Sequence, residues 1–99
     1  MLDYWDHSCA YCGAKADMFR TIQVDHFICV TDDRCTGTIA TNLVPACSSE
    51  QFIEGQLSCN QSKGNKDALD WLTEQYGKRK AQQIYNRIMD YFAWVESQN

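Results

Sequence analysis

Ninety-nine residues make one domain, near the small end of what buries a self-sufficient core. No run of about 20 apolar residues is present, which excludes a membrane-spanning helix, and the start, MLDYWDHSC, has neither the basic nor the apolar region of a signal peptide. The formal charge of −4 argues weakly against nucleic acid, since affinity for phosphates comes from Lys and Arg, yet residues 61–99 carry six basic and five acidic side chains against three and eight in residues 1–60.

A cytoplasmic chain, in which thiols stay reduced, is expected, and six cysteines there point to metal rather than disulfides. A disulfide-stapled small domain is the alternative. Residues 4–18, YWDHSCAYCGAKADM, hold a C-x-x-C followed by Gly13, a tight cysteine turn. Residues 19–28, FRTIQVDHFI, alternate with Ile22 and Val24 on one face and read as a strand ending near Asp25-His26. Residues 31–41 are rich in turn formers and read as a loop. Asn42-Leu43-Val44-Pro45 reads as a second short strand that Pro45 closes.

Two helices follow. Asp67 caps one over Ala68 to Tyr76, with Leu69, Leu72 and Tyr76 on one stripe and Gly77 as the stop. From Lys78 to Val95, the residues Ala81, Ile84, Ile88, Phe92 and Val95 recur at spacings of three and four, an amphipathic pattern. These stripes, with Trp71 and Trp94, are expected in the core. The chain shows no repeats and no low-complexity tract.

The spacing of Cys9 and Cys12 lets both sulfurs face one zinc from a tight turn. A second pair completes a tetrahedral site, and Cys47 and Cys59 are chosen for it. Residues 50–58 then form a loop inside the knuckle, an insertion that loop-closure entropy tolerates. Cys29 and Cys35 compete as ligands; alternatively Cys29 is a buried small hydrophobe and Cys35 a free loop thiol. His7 is a further candidate ligand or a surface histidine.

In this order, C-x2-C, Asp-His at a strand end, Asn-Leu-Val-Pro-x-Cys and Cys-Asn-x-x-Lys-Gly together resemble the HNH endonuclease family over residues 9 to about 67. The adjacent Cys59-Asn60 is similar to phage recombination endonucleases that resolve branched DNA. The resemblance implies an α+β fold: a ββα-metal (His-Me) finger with a four-cysteine structural zinc, here followed by C-terminal helices over residues 67–96. It implies that Asp25 and Asn60 bind a catalytic Mg²⁺ or Mn²⁺, that His26 is the general base, and that Asn42 braces the loop carrying His26.

The chemistry of the residues agrees with those roles. Imidazole changes charge near neutral pH and can take a proton from water. A carboxylate and an amide oxygen suit a hard ion that keeps several waters. Asp25 and His26 are neighbours, so the strand must bend or end for both to reach one phosphate. Taken singly, Asp25-His26 is also a solvated strand end, Asn42 a turn residue and Asn60 a helix cap. Residues 61–66, QSKGNK, offer no second histidine, and Asp32 or Asp33 are stray ligand candidates. Lys63 and Lys66, one helical turn apart, are placed against the DNA backbone or simply in solvent.

The expected function is metal-dependent hydrolysis of DNA phosphodiester bonds. The expected setting is a bacterial or phage-infected cell, with DNA as partner and a homodimer or larger DNA-processing complex adding surface. The alternative is a zinc-stapled module that binds nucleic acid or protein without catalysis. A third reading makes Cys29 and Cys35 a redox switch.

Overall fold

Strand β1, Thr21–His26, pairs antiparallel with β2, Leu43–Ser48, in a two-stranded sheet. The computed structural model describes residues 3–16, 21–29, 32–35, 37, 39–48 and 59–98. Phe19 and Arg20 of the expected first strand lie outside them. The ladder sets Val24 opposite Pro45, Asp25 opposite Val44 and His26 opposite Leu43.

The second strand differs from expectation, because Pro45 lies inside it rather than at its end. The reason is directional. The Pro45 carbonyl points away from β1 and accepts the Ala10 N–H at 2.8 Å. In an antiparallel strand a residue's N and C=O point the same way, so the N–H that proline lacks is not one the ladder uses.

A 3₁₀ turn, Ala40–Asn42, leads into β2 and ends the expected loop. Helix α1, Cys59–Lys63, packs on β2. Helices α2, Ala68–Tyr76, and α3, Lys78–Ser97, then pack on each other as the stripes predict. Asp67 caps α2, its carboxylate accepting the Asp70 N–H at 3.1 Å. Gly77 alone joins the helices. Its φ of 83° suits glycine, its N–H closes α2 on Thr73 O, and its carbonyl accepts the Ala81 N–H of α3.

The core gathers Trp71, Leu72, Ala81, Ile84, Ile88 and Phe92 from the two helices with Val44 and Ala46 from β2, Phe27, and Trp5 and Tyr11 from the N-terminal segment. Leu69, Tyr76 and Val95 are half-buried against it. Trp94 corrects the expectation of burial: it is 45% exposed. Two residues beyond Phe92, it points about 200° away around the helix. Tyr91 is buried instead, and Trp94 stacks outside it at 6.3 Å. Among the described residues, no helix is long and apolar enough to cross a membrane.

Ile88 is fully buried and Arg87 beside it is exposed. Ile88→Ala is expected to cost about 2–5 kcal/mol in denaturant unfolding, and Arg87→Ala under about 0.5 kcal/mol. Asp67 also pairs with Arg34, Nη2 to Oδ1 at 2.6 Å, and this guanidinium holds the carboxyl below its usual 3.8. A depressed folded pKa gives stability that is complete above 3.8 and lost as pH falls through the folded value. Asp67→Ala should therefore cost about 1 kcal/mol at neutral pH, and the gap to wild type should close under acid in paired melts.

Candidate metal centre

Cys9 and Cys12 come from the N-terminal turn, Cys47 from β2 and Cys59 from the first position of α1. The turn is built by local hydrogen bonds. Cys9 N–H donates to Ala14 O at 2.8 Å and Gly13 N–H to Cys9 O at 2.9 Å, with Gly13 at φ 79°. A bridge between Ser8 and Lys15 closes it, and the Ala10–Pro45 bond docks it on β2.

The four sulfurs lie within 4.8 Å of one another, and those of Cys12 and Cys47 are 3.7 Å apart. Tetrahedral Zn–S bonds of about 2.3 Å place sulfurs about 3.8 Å apart. A disulfide needs about 2.0 Å, and all six cysteines are unbridged. Backbone donors face the sulfurs, Cys12 N–H to Cys9 at 3.5 Å and Cys59 N–H to Cys47 at 3.3 Å.

Packed this closely, the thiols do not ionise independently. Contacts from Cys47, Cys59 and Cys9 hold Cys12 far below the usual thiol range. At Cys47 a contact from Cys12 that raises the pKa is outweighed by Cys59 and Cys9, which bring it to about 6. Cys9 is pushed far up, chiefly by Cys12 and Cys47, and Cys59 by Cys12, Cys47 and Cys9. Four thiols this close oppose one another's full ionisation; a divalent charge would let all four ionise. The donor set fits, and the four cysteines could hold a metal ion such as zinc.

The other candidate ligands stand apart from this cluster. His7 is exposed, its Nε2 3.5 Å from Asp3 Oδ1. Cys29 donates to Asn65 Oδ1 at 3.0 Å. Cys35 receives the Gly37 N–H at 3.3 Å and the Asn42 amide at 3.6 Å. Residues 50–58 of the expected insertion lie outside the described residues.

Asp25 and His26 are the last two residues of β1. Both belong to the ladder, so their side chains leave on opposite faces; the strand ends at His26 and the chain bends at Phe27 and Ile28. Asp25 Oδ2 accepts the Tyr11 hydroxyl at 2.7 Å and lies 3.3 Å from Lys63 Nζ. Lys63 also donates to the His26 carbonyl at 3.1 Å. Burial first, then the Asp25 charge, pushes the Tyr11 pKa well up and keeps the phenol a donor.

Asn60 is the second residue of α1, half-buried, one turn before Lys63. Its carboxamide and the Asp25 carboxylate are donor types that suit Mg²⁺. The carboxylate's charge is already shared with Lys63.

Asn42 is buried and fastens the loop after His26. Its Oδ1 accepts the Ile28 N–H at 2.8 Å, and its Nδ2 donates to Ile28 O and Gly37 O, each at 3.1 Å. Asn42 thus contacts residues 28, 35 and 37.

Lys63 corrects its expected position against DNA: its side chain is 0% exposed, closed in by Asp25 and the His26 carbonyl. Lys66 is exposed, 3.8 Å from Glu74 Oε2. Asp32 binds Arg34, which lowers its pKa to about 2, and so is engaged elsewhere; Asp33 is exposed. Tyr11 was not among the candidates. Its place between two ligand cysteines was the available signal.

Removing one thiolate should remove the ion. Zinc measured by atomic absorption is expected near one per chain in the wild type and well below that in Cys47→Ser, with a lower melting temperature. The chain matches no protein-family model, no curated protein and no solved structure.

Proposed function

We propose that the chain is a metal-dependent DNA endonuclease of the HNH type, with a structural zinc on Cys9, Cys12, Cys47 and Cys59. One observation carries the reading. The Asp25-His26 end of β1 is tied through Lys63 to α1, the helix that leaves the four-cysteine cluster with Asn60 in its first turn. An antiparallel strand pair followed by a short helix, with a cysteine frame, supports the reading as a ββα-metal finger.

In this reading His26 takes a proton from the attacking water as the phosphodiester bond breaks and one ester oxygen leaves. Asn42 holds the loop that follows His26, so the imidazole keeps its place. Asp25 and Asn60 would hold a Mg²⁺ or Mn²⁺, which when bound offsets charge at the phosphate. Lys66, which is exposed, would meet the DNA backbone. The proposed setting is the cytoplasm of a bacterial or phage-infected cell. A homodimer or a larger DNA-processing complex would add the surface that so small a chain lacks.

A second reading, a zinc-stapled binding module without turnover, draws support from Asp25 itself. Its carboxylate already has an ammonium and a phenol as partners. Supercoiled plasmid incubated with EDTA, Mg²⁺ or Mn²⁺ separates the two. Nicking should need the divalent ion and should fall by about 10²-fold or more in His26→Ala at unchanged zinc content. A zinc-loaded wild type that cuts neither plasmid nor junction DNA favours the binding module.

A further inference from the structure

A buried ammonium is rare because leaving water is costly without a counter-charge. Lys63 is such a group, with Asp25 as its carboxylate partner among the described residues. Among the described residues, the contacts on that carboxylate from Lys63 at 3.3 Å and from Tyr11 at 2.7 Å both fall on Oδ2. The Asp25 side chain is only 12% exposed, so solvent screens little between Lys63 and anything else bound there. The His26 carbonyl, 3.1 Å from Nζ, keeps the ammonium from swinging away. Arg34 and Lys66 differ in kind: both are exposed and paired with surface carboxylates.

A divalent ion on Asp25 would therefore meet a fixed positive charge on the same carboxylate. We propose that Lys63 is the resident cation of the Asp25 site: it holds Oδ2 and would weaken the binding of a divalent ion at Asp25 in the free protein. This rests on the proposed placement of the ion at Asp25 and Asn60. Lys63 acts on the ion through Asp25 and does not touch DNA.

The test is Mn²⁺ binding to the zinc-loaded full chain, read from the electron paramagnetic resonance signal of free Mn²⁺. No DNA or turnover is involved. Zinc content and circular dichroism check each variant. Wild type should bind Mn²⁺ weakly and Asp25→Asn not at all. Lys63→Met, or Lys63→Gln if the methionine variant does not fold, should bind about tenfold tighter or more, the charge repulsion being gone. Lys63→Arg, which keeps the charge, should stay within about threefold of wild type. Neutral variants that bind no tighter than wild type, while Asp25→Asn still abolishes binding, overturn the inference and leave the ion at Asp25. Mn²⁺ binding by none of the proteins, or binding that survives in Asp25→Asn, overturns the ion site and the inference together.

Discussion

Four sulfurs brought within 4.8 Å of one another set the terms for the first two thirds of this chain. They join a turn near the N-terminus, the penultimate residue of β2 and the first residue of α1, segments that no helix or ladder would otherwise hold in one place. A two-stranded sheet is marginal by itself, and a five-residue helix more so. Thiols at this separation oppose one another's ionisation, and a cation at the centre would relieve that repulsion. The helices supply the second support. Trp71 of α2 meets Tyr11, between the ligand cysteines, edge to face at 5.3 Å, so the apolar core and the cysteine cluster share a wall.

Local patterns in the sequence carried most of this. The 3.6-residue periodicity, the Asp67 cap and the Gly77 stop gave α2 and α3 because each is a short-range property. The two-residue spacing of Cys9 and Cys12 gave the turn for the same reason. Cys47 and Cys59 are chosen over Cys29 and Cys35 as the second pair, and the structure groups them with Cys9 and Cys12. What escaped was set by direction and by tertiary neighbours. Pro45 reads as a strand stop unless the side of its missing N–H is known. Trp94 reads as core by composition, yet its angle around α3 turns it outward. Lys63 reads as a surface cation, and only the approach of α1 to the end of β1 explains its burial.

The Asp25 neighbourhood shows how one charge can be asked to serve two ends. As partner of a buried lysine, Asp25 fastens α1 to β1; as a ligand, it would offer the same charge to an ion. Tyr11 and Lys63 sharpen the conflict by fixing the carboxylate's orientation, which lowers the entropy lost on ligation while reducing the charge left to bind with. Asn42 is free of this tension. It spends its carboxamide on backbone groups of the loop after His26 and on the Cys35 sulfur, and is shut away from solvent.

The docking of the cysteine turn on Pro45 has a further consequence, for self-association. A two-stranded sheet has two open margins, each a template for pairing with another chain. Along β2 that margin lacks an N–H at Pro45, and the Pro45 carbonyl is already taken by Ala10. An incoming strand would find neither donor nor acceptor at the middle of β2. The residue pair that seats the cysteine turn thus also works against edge-to-edge pairing along that strand.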